Sequence, residues 1–261
     1  MTWGQKRQVT IIGGILLIIL GITAAILYPI LFKEPTCSDG KQNGRETGVD
    51  CGVACGVLCP FEVRDPVVKW ARTFPVTSDV WSAAAYIENQ NTNAGAKELQ
   101  YQFKLYDKDR VFITERYGKT FIAPNQRTVV FEGGIKVGTR LPSYATFTIV
   151  EKPSWYVTDP RFAGITLSPT EQALQDTDTK PRFTALIENM SDLYTVKNTD
   201  VIVVVFDDKD NAIGVSKTYL DTLRPHAKTQ VYFTWQAPFV GEAVRQEVFT
   251  RFNPFTVGTQ Q

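Results

Sequence analysis

Residues 9–32 (VTIIGGILLIILGITAAILYPILF) carry no charge, and 15 of the 24 are Val, Ile, Leu or Phe. As a helix rising about 1.5 Å per residue the run would be about 36 Å long, enough to cross a hydrocarbon core of about 30 Å with some tilt. It predicts one transmembrane helix. Residues 33–66 are different: short of large apolar side chains and rich in Gly, Asp and Cys, they form a stalk too small to build a core. After residue 66 the pattern becomes short runs of β-branched and aromatic residues, with turn signals about every 8–12 residues, which predicts all-β sandwiches. Tyr101, Phe103 and Leu105 alternate with Gln102, Lys104 and Tyr106, as a half-buried strand requires. Residues 201–206 (VIVVVF) are instead continuously apolar, as expected of a more deeply buried strand.

The β region repeats itself. Ala85-Tyr86-Ile87-Glu88-Asn89 matches Ala185-Leu186-Ile187-Glu188-Asn189, and Leu105-Tyr106-Asp107 matches Val205-Phe206-Asp207, both at an offset of 100. Pro124-Asn125-Gln126-Arg127-Thr128 matches Pro225-His226-Ala227-Lys228-Thr229 at 101. Order and spacing kept over three blocks point to duplication. Trp70 precedes Ala85 by 15 residues whereas Trp155 precedes Ala185 by 30, which predicts about fifteen extra residues in the second copy, near 168–181. Such a polar loop is mobile or functional, with mobility the first expectation. The expected organisation is a cytoplasmic stub (1–8), the span (9–32), the stalk (33–66), a first sandwich (67–152), a second (153–255) and a tail (256–261). In both copies an Asp-rich turn follows the apolar strand, at 107–110 and 207–211, where Asp and Asn side chains bond to nearby backbone.

Phe103-Lys104-Leu105-Tyr106-Asp107 is a literal F-x-L-Y-D. With the I-E-N strand before it and the P-N-Q-R-T-V-V-F strand after it, this segment resembles the FxLYD domain family. That resemblance implies tandem immunoglobulin-like sandwiches of a bacterial envelope protein. The second copy departs from the motif with Val203-Val204-Val205-Phe206-Asp207. A short structural motif of this kind speaks to fold more than to activity.

Charge sets the expected orientation. Lys6 and Arg7 precede the span, so the positive-inside rule places the N-terminus in the cytoplasm and the C-terminus outside. Trp3, Tyr28 and Phe32 stand where interfacial aromatics are expected. A cleaved signal is the alternative, but its apolar region is usually shorter, and apolar sequence continues past the small residues Thr23-Ala24-Ala25. Two of the 28 Lys and Arg precede the span and all 27 acids follow it, leaving the exported part at a net of −1. Nothing in that balance suggests nucleic acid as a partner. Gly21 and Ala25 form one small-xxx-small pair.

All four cysteines, Cys37, Cys51, Cys55 and Cys59, follow the span closely and read as two disulfides in an oxidising compartment. A zinc site of four thiolates would need a reducing environment, and the spacing lacks paired C-x2-C knuckles. Of three possible pairings, Cys37–Cys51 with Cys55–Cys59 is preferred: it closes a loop around the Gly/Asp/Asn run and leaves the last pair as a local clip. Asp39, Asn43, Glu46 and Asp50 place oxygen ligands on that glycine-broken loop, so Ca2+ is the cation they would suit. The alternative is a turn framework whose acids face water. Residues 37–52 (CSDGKQNGRETGVDCG) also resemble a C-x-D-G-x-Q-N-G-x-E-x-G-x-D-C-G-G module of bacterial surface proteins, common in small-genome candidate phyla. Val53 replaces its second Gly, and Cys55-x3-Cys59 replaces C-x2-C.

An enzyme is hard to assemble from this chain. Its one histidine, His226, follows Pro225 in a predicted turn, and no H-E-x-x-H, G-x-S-x-G or phosphate-cradling loop is present. No catalytic residue is expected, and Ca2+ is the one cofactor the residues allow. The expected function is that of a membrane-anchored, extracytoplasmic, non-catalytic binding or assembly protein of the cell envelope. It would hold the lipid bilayer through its helix and an envelope protein or polymer through its β domains. The alternative is a structural accessory subunit of a secretion or pilus-type machine.

Overall fold

A computed structural model describes residues 2–31, 33–159 and 165–256. The chain divides into two units, residues 1–55 and 56–261. In the first, α1 (Trp3–Leu31) starts before the uncharged run and includes Lys6 and Arg7. It is long and apolar enough to cross a membrane, and its apolar side chains are exposed on all sides. The hydroxyl of Thr10 donates to the Lys6 carbonyl, and that of Thr23 to the carbonyls of Ile19 and Leu20, each at 2.9 Å. Such internal satisfaction is what a polar side chain in hydrocarbon requires. Phe32, the last residue of the predicted span, lies outside the described residues.

The second unit contains thirteen strands among the described residues, all paired antiparallel. They are β1 (Val67–Pro75), β2 (Val80–Glu88), β3 (Ala94–Tyr106), β4 (Phe112–Ile122), β5 (Arg127–Lys136), β6 (Tyr144–Ile149) and β7 (Trp155–Val157), then β8 (Leu167–Gln175), β9 (Arg182–Asn189), β10 (Val196–Phe206), β11 (Ala212–Leu223), β12 (Lys228–Thr234) and β13 (Arg245–Arg251). The first sandwich faces sheet β1-β2-β5 against sheet β4-β3-β6, with β7 added beside β3; the second faces β12-β9-β8 against β11-β10-β13. The predicted class, all-β with one N-terminal helix, is the observed one.

Three apolar layers separate these four sheets. Ala83, Ala85 and Ile87 of β2 meet Phe103 and Leu105 of β3 inside the first sandwich. Val201 and Val203 of β10 meet Phe183 and Ile187 of β9 inside the second. A third layer joins the sandwiches: Phe74, Ala84 and Val129 pack against Ile202, Val204, Phe206, Val215 and Phe249. Sheets β1-β2-β5 and β11-β10-β13 are therefore covered on both faces. The alternation of strand side chains makes this visible along β10, where Val201 and Val203 point one way and Ile202 and Val204 the other. Residues 201–206 are continuously apolar for that reason, because a strand buried on two sides has no polar face. The same geometry explains the departure from F-x-L-Y-D. Lys104 and Tyr106 lie on an outer sheet and keep partial exposure, whereas their counterparts Val204 and Phe206 are buried between sandwiches.

Three predicted features need correction. Trp155 is not the counterpart of Trp70. It opens β7, pairs with Ala96 of β3 and is buried in the first core, so the first sandwich extends past 153 to Val157. The predicted insertion at 168–181 is also absent as such. β8 spans Leu167–Gln175 and is the counterpart of β1 at the offset of 100, leaving only residues 176–181 as a hairpin connection. The stalk is also shorter than 33–66. From Gly56 onward it belongs to the β unit, where Leu58 is buried in the first core and its amide donates to the Trp155 carbonyl at 2.8 Å. Reciprocal 2.8 Å bonds between the Asn91 side chain and the Arg64 backbone fix the next turn.

The shared layer makes a test. Ile202→Ala and Phe249→Ala should each cost about 2–5 kcal/mol, and denaturation should show one transition for the whole β unit. Two transitions, with only the second sandwich shifted, would show that the copies unfold independently.

Candidate functional site

The cysteine segment is organised by carboxylates that accept from main-chain amides. Asp50 accepts from the Gly40 amide through both oxygens (3.1 and 2.9 Å), and Asp39 accepts from the Lys41 amide (3.0 Å) and the Asn43 side chain (2.9 Å). Glu46 accepts from the amides of Asn43 (3.3 Å) and Asp50 (3.2 Å) through one oxygen. With few apolar residues available, these bonds fold the loop in the way Asx-type turns do. The Asn43 side chain pulls the Asp39 carboxyl below its usual pKa, against a smaller opposing effect of partial burial. The structure thus brings Asp39, Asn43, Glu46 and Asp50 into one network, with its carboxylates already accepting hydrogen bonds. Among the described residues, Cys37, Glu46 and Cys55 do bring candidate ligand atoms within 4.8 Å of one another, but the two sulfurs are bonded together and are not thiolates.

That bond corrects the predicted pairing. Cys37 joins Cys55, with Cα atoms 5.6 Å apart, and not Cys51; Cys51 and Cys59 are disulfide-bonded as well, and no cysteine is free. Sequence proximity favoured a short clip between Cys55 and Cys59. The chain instead makes a turn at Val53–Cys55, with the Cys55 amide donating to the Gly52 carbonyl. The Cys37–Cys55 bridge encloses the whole acid-rich run, including the segment around Asp50.

In the β unit the repeated motif residues have structural work. Asn89 donates at 2.8 Å to the carbonyls of Ala94 and Ala123, and Asn189 does the same to Tyr194 (2.8 Å) and Leu223 (3.0 Å). Both are fully buried, and each closes the corner between two strand connections. Sequence reasoning found the I-E-N repeat but not this role, although an Asn retained at an apolar strand end in both copies was the signal. Asp107 accepts from the amides of Asp109 (3.0 Å) and Val111 (2.9 Å) and pairs with Arg140 at 2.7 Å. Asp207 accepts from the amides of Lys209 (2.9 Å) and Asn211 (2.7 Å) and from the Asn211 side chain (3.0 Å). The Val111 amide leads in holding the Asp107 carboxyl below its usual pKa. At Asp207 partial burial pushes upward, but the bonds from Asn211 and Lys209 outweigh it and the net shift is down.

Two arginines were not legible in the sequence. Arg251 of β13 is 3% exposed and reaches across the shared layer to the carbonyls of Val129 (3.3 Å) and Phe121 (3.0 Å) and to the Thr120 hydroxyl (2.7 Å). Burial pushes its pKa down. Arg72 of β1 reaches the other way, to the Asn211 side chain at 3.0 Å. Each sandwich therefore sends one guanidinium to the other. His226 sits in the predicted turn, exposed, 3.1 Å from the still more exposed Asp192.

No family model matches the chain, and no curated protein does. Solved structures similar to it include a glycosyl hydrolase family 2 member from Bacteroides cellulosilyticus, at 10% identity and a TM-score of 0.23, with 68% of this chain and 29% of that one covered. A β-glucuronidase from glycoside hydrolase family 2 matches at 10% identity and a TM-score of 0.25, with 87% and 28% covered. The chain thus spans less than a third of the length of either. Likeness at that level carries no argument about what the chain does.

The carboxylate bonding predicts that Ca2+ titration of the protein gives no saturable heat up to about 1 mM, within the range of extracellular calcium modules. A saturable heat abolished by Asp39→Ala would overturn the turn-framework assignment. Acid sensitivity follows from Asp107 and Asp207. Carboxyls depressed in the folded state contribute stability that is present above their unfolded value, near 3.8, and is lost as pH falls through the lower folded values. The double variant Asp107→Asn/Asp207→Asn should therefore show a flatter loss of stability below pH 3.8. An unchanged acid limb in chemical denaturation would refute that assignment.

Proposed function

We propose that the chain is a membrane-anchored, extracytoplasmic, non-catalytic binding or assembly protein of the cell envelope. The observation that carries the anchoring is α1: it is apolar on every side, and a helix without a polar face needs a nonaqueous surrounding. Lys6 and Arg7 at its start support a cytoplasmic N-terminus. The disulfides support an oxidising compartment beyond it.

The non-catalytic reading rests on where the polar side chains go. The carboxylates and amides of the recurring motifs bond to turns and corners, and His226 has a single exposed carboxylate partner. Between the two envelope roles, the packing of the sandwiches favours binding or assembly over spacing. Tandem sandwiches gain reach when joined end to end, and these two are joined face to face. The stack gives up length for a broad, rigid body that carries loops at the ends of both sandwiches.

Alkaline extraction should leave the full-length protein in the membrane fraction, and protease added from outside should remove the β unit. Crosslinking in intact cells followed by mass spectrometry should then recover an envelope component attached to the β unit. A soluble species beginning within residues 24–33 would refute the anchor, and absence of any crosslinked envelope component would refute the binding role.

A further inference from the structure

The two copies differ most at one end of the second sandwich. The β1–β2 connection is four residues (76–79) and its counterpart, β8–β9, is six (176–181). The β5–β6 connection is seven (137–143) and its counterpart, β12–β13, is ten (235–244). These two connections meet, since the Trp235 amide donates to the Pro181 carbonyl at 3.0 Å. Between them opens a depression of about 550 Å3 lined by Asp176, Thr179, Lys180, Arg182, Trp235 and Gln236. Its volume lies within the range of small-molecule sites.

The lining is held in place before any ligand arrives. The Trp235 indole N–H donates to the Val215 carbonyl at 3.2 Å, and Phe239 lies against the indole at 71° with centroids 5.0 Å apart. Phe239 is seated over Gly214, where a Cβ would overlap its ring. The Arg182 guanidinium is clamped on Asp176 at 2.6 and 2.9 Å. Lys180 enters no ion pair among the described residues, and it adds a cation to a rim whose other charges pair off. Fixed groups bind with less loss of conformational freedom than mobile ones.

We propose that this depression is a binding site for an acidic sugar unit of an envelope polysaccharide. This deepens the reading above by naming the class of polymer and rests on it. A pyranose ring has an apolar C–H face and a rim of hydroxyls. The indole suits the first; Asp176, Arg182, Gln236 and Thr179 suit the second, because fixed acceptors and donors select hydroxyls by geometry. Lys180 then meets the carboxylate of a uronic acid. A peptide adding to the edge of β12, whose last residue Thr234 also lines the depression, would find one aromatic among polar groups and no apolar side-chain pockets.

The test uses the full-length protein in detergent, titrated calorimetrically with tetragalacturonate and, as a neutral match, cellotetraose. Saturable binding of tetragalacturonate is expected, weakened about tenfold or more in Trp235→Ala. Lys180→Gln should remove the preference over cellotetraose while leaving the thermal unfolding curve unchanged, which keeps the test valid if Trp235→Ala is poorly folded. No binding of either oligosaccharide up to about 10 mM overturns the proposal. So does binding that Lys180→Gln and Asp176→Asn leave intact. If the sugar site fails while crosslinking in cells still recovers an envelope component, the binding role stands and only its ligand class falls.

Discussion

Ile202, Val204, Phe206 and Phe249 on one side and Phe74, Ala84 and Val129 on the other form the layer on which the architecture depends. Each of these side chains stands on the outer face of its own sandwich. In an isolated sandwich they would form a contiguous exposed apolar patch, the kind of surface that favours association. Here each copy is the cover for the other. At about 25 cal/mol per Å2 of apolar area removed from water, such a layer holds two domains as one body. The aromatic chain Trp70–Tyr86–Phe249, with centroids 5.9 and 5.6 Å apart, adds contacts that run through both sheets.

Polar groups inside such a stack are costly unless paired. Asn89 and Asn189 meet that requirement by donating to two carbonyls each, where a strand end would otherwise leave them unpaired. Arg251 satisfies carbonyls of the opposite sandwich, and the Phe121 ring lies 4.9 Å from its guanidinium. These bonds fix register and relative orientation, which apolar contact alone leaves loose. Tyr101 belongs to the same pattern: its hydroxyl donates to Glu132 at 2.6 Å, with burial first and that carboxylate second in raising its pKa.

Much of the fold was legible because it is written in period. The uncharged run gave the helix, the alternation at 101–106 gave β3, and the offset of 100 gave the duplication. What the sequence could not show was which outer faces meet, because burial on a second side is a property of a partner sheet. The continuous run at 201–206 was the trace of that contact, legible as depth but not as a fused interface. Trp155 misled because a large aromatic invites alignment with another, while its burial beside β3 depends on a short strand of three residues. The disulfide pairing was illegible for a related reason: short loops are favoured by spacing, but the turn at Val53–Cys55 sets which sulfurs meet. The depression at Trp235 left no added residue to read: both connections keep the offsets of their flanking strands and lengthen only because β9 starts later and β12 ends earlier than their counterparts.

The way the chain joins the β unit has a mechanical consequence. Val57 bridges Tyr156, the Leu58 amide bonds the Trp155 carbonyl, and β7 in turn pairs with Ala94–Ala96 of β3. Tension arriving along the chain at Gly56 therefore passes through β7 into the central strand of the outer sheet. Neither contact involves a strand of the second sandwich, which joins the first through the shared apolar layer. A pull on the chain at Gly56 would therefore load the first copy before the second.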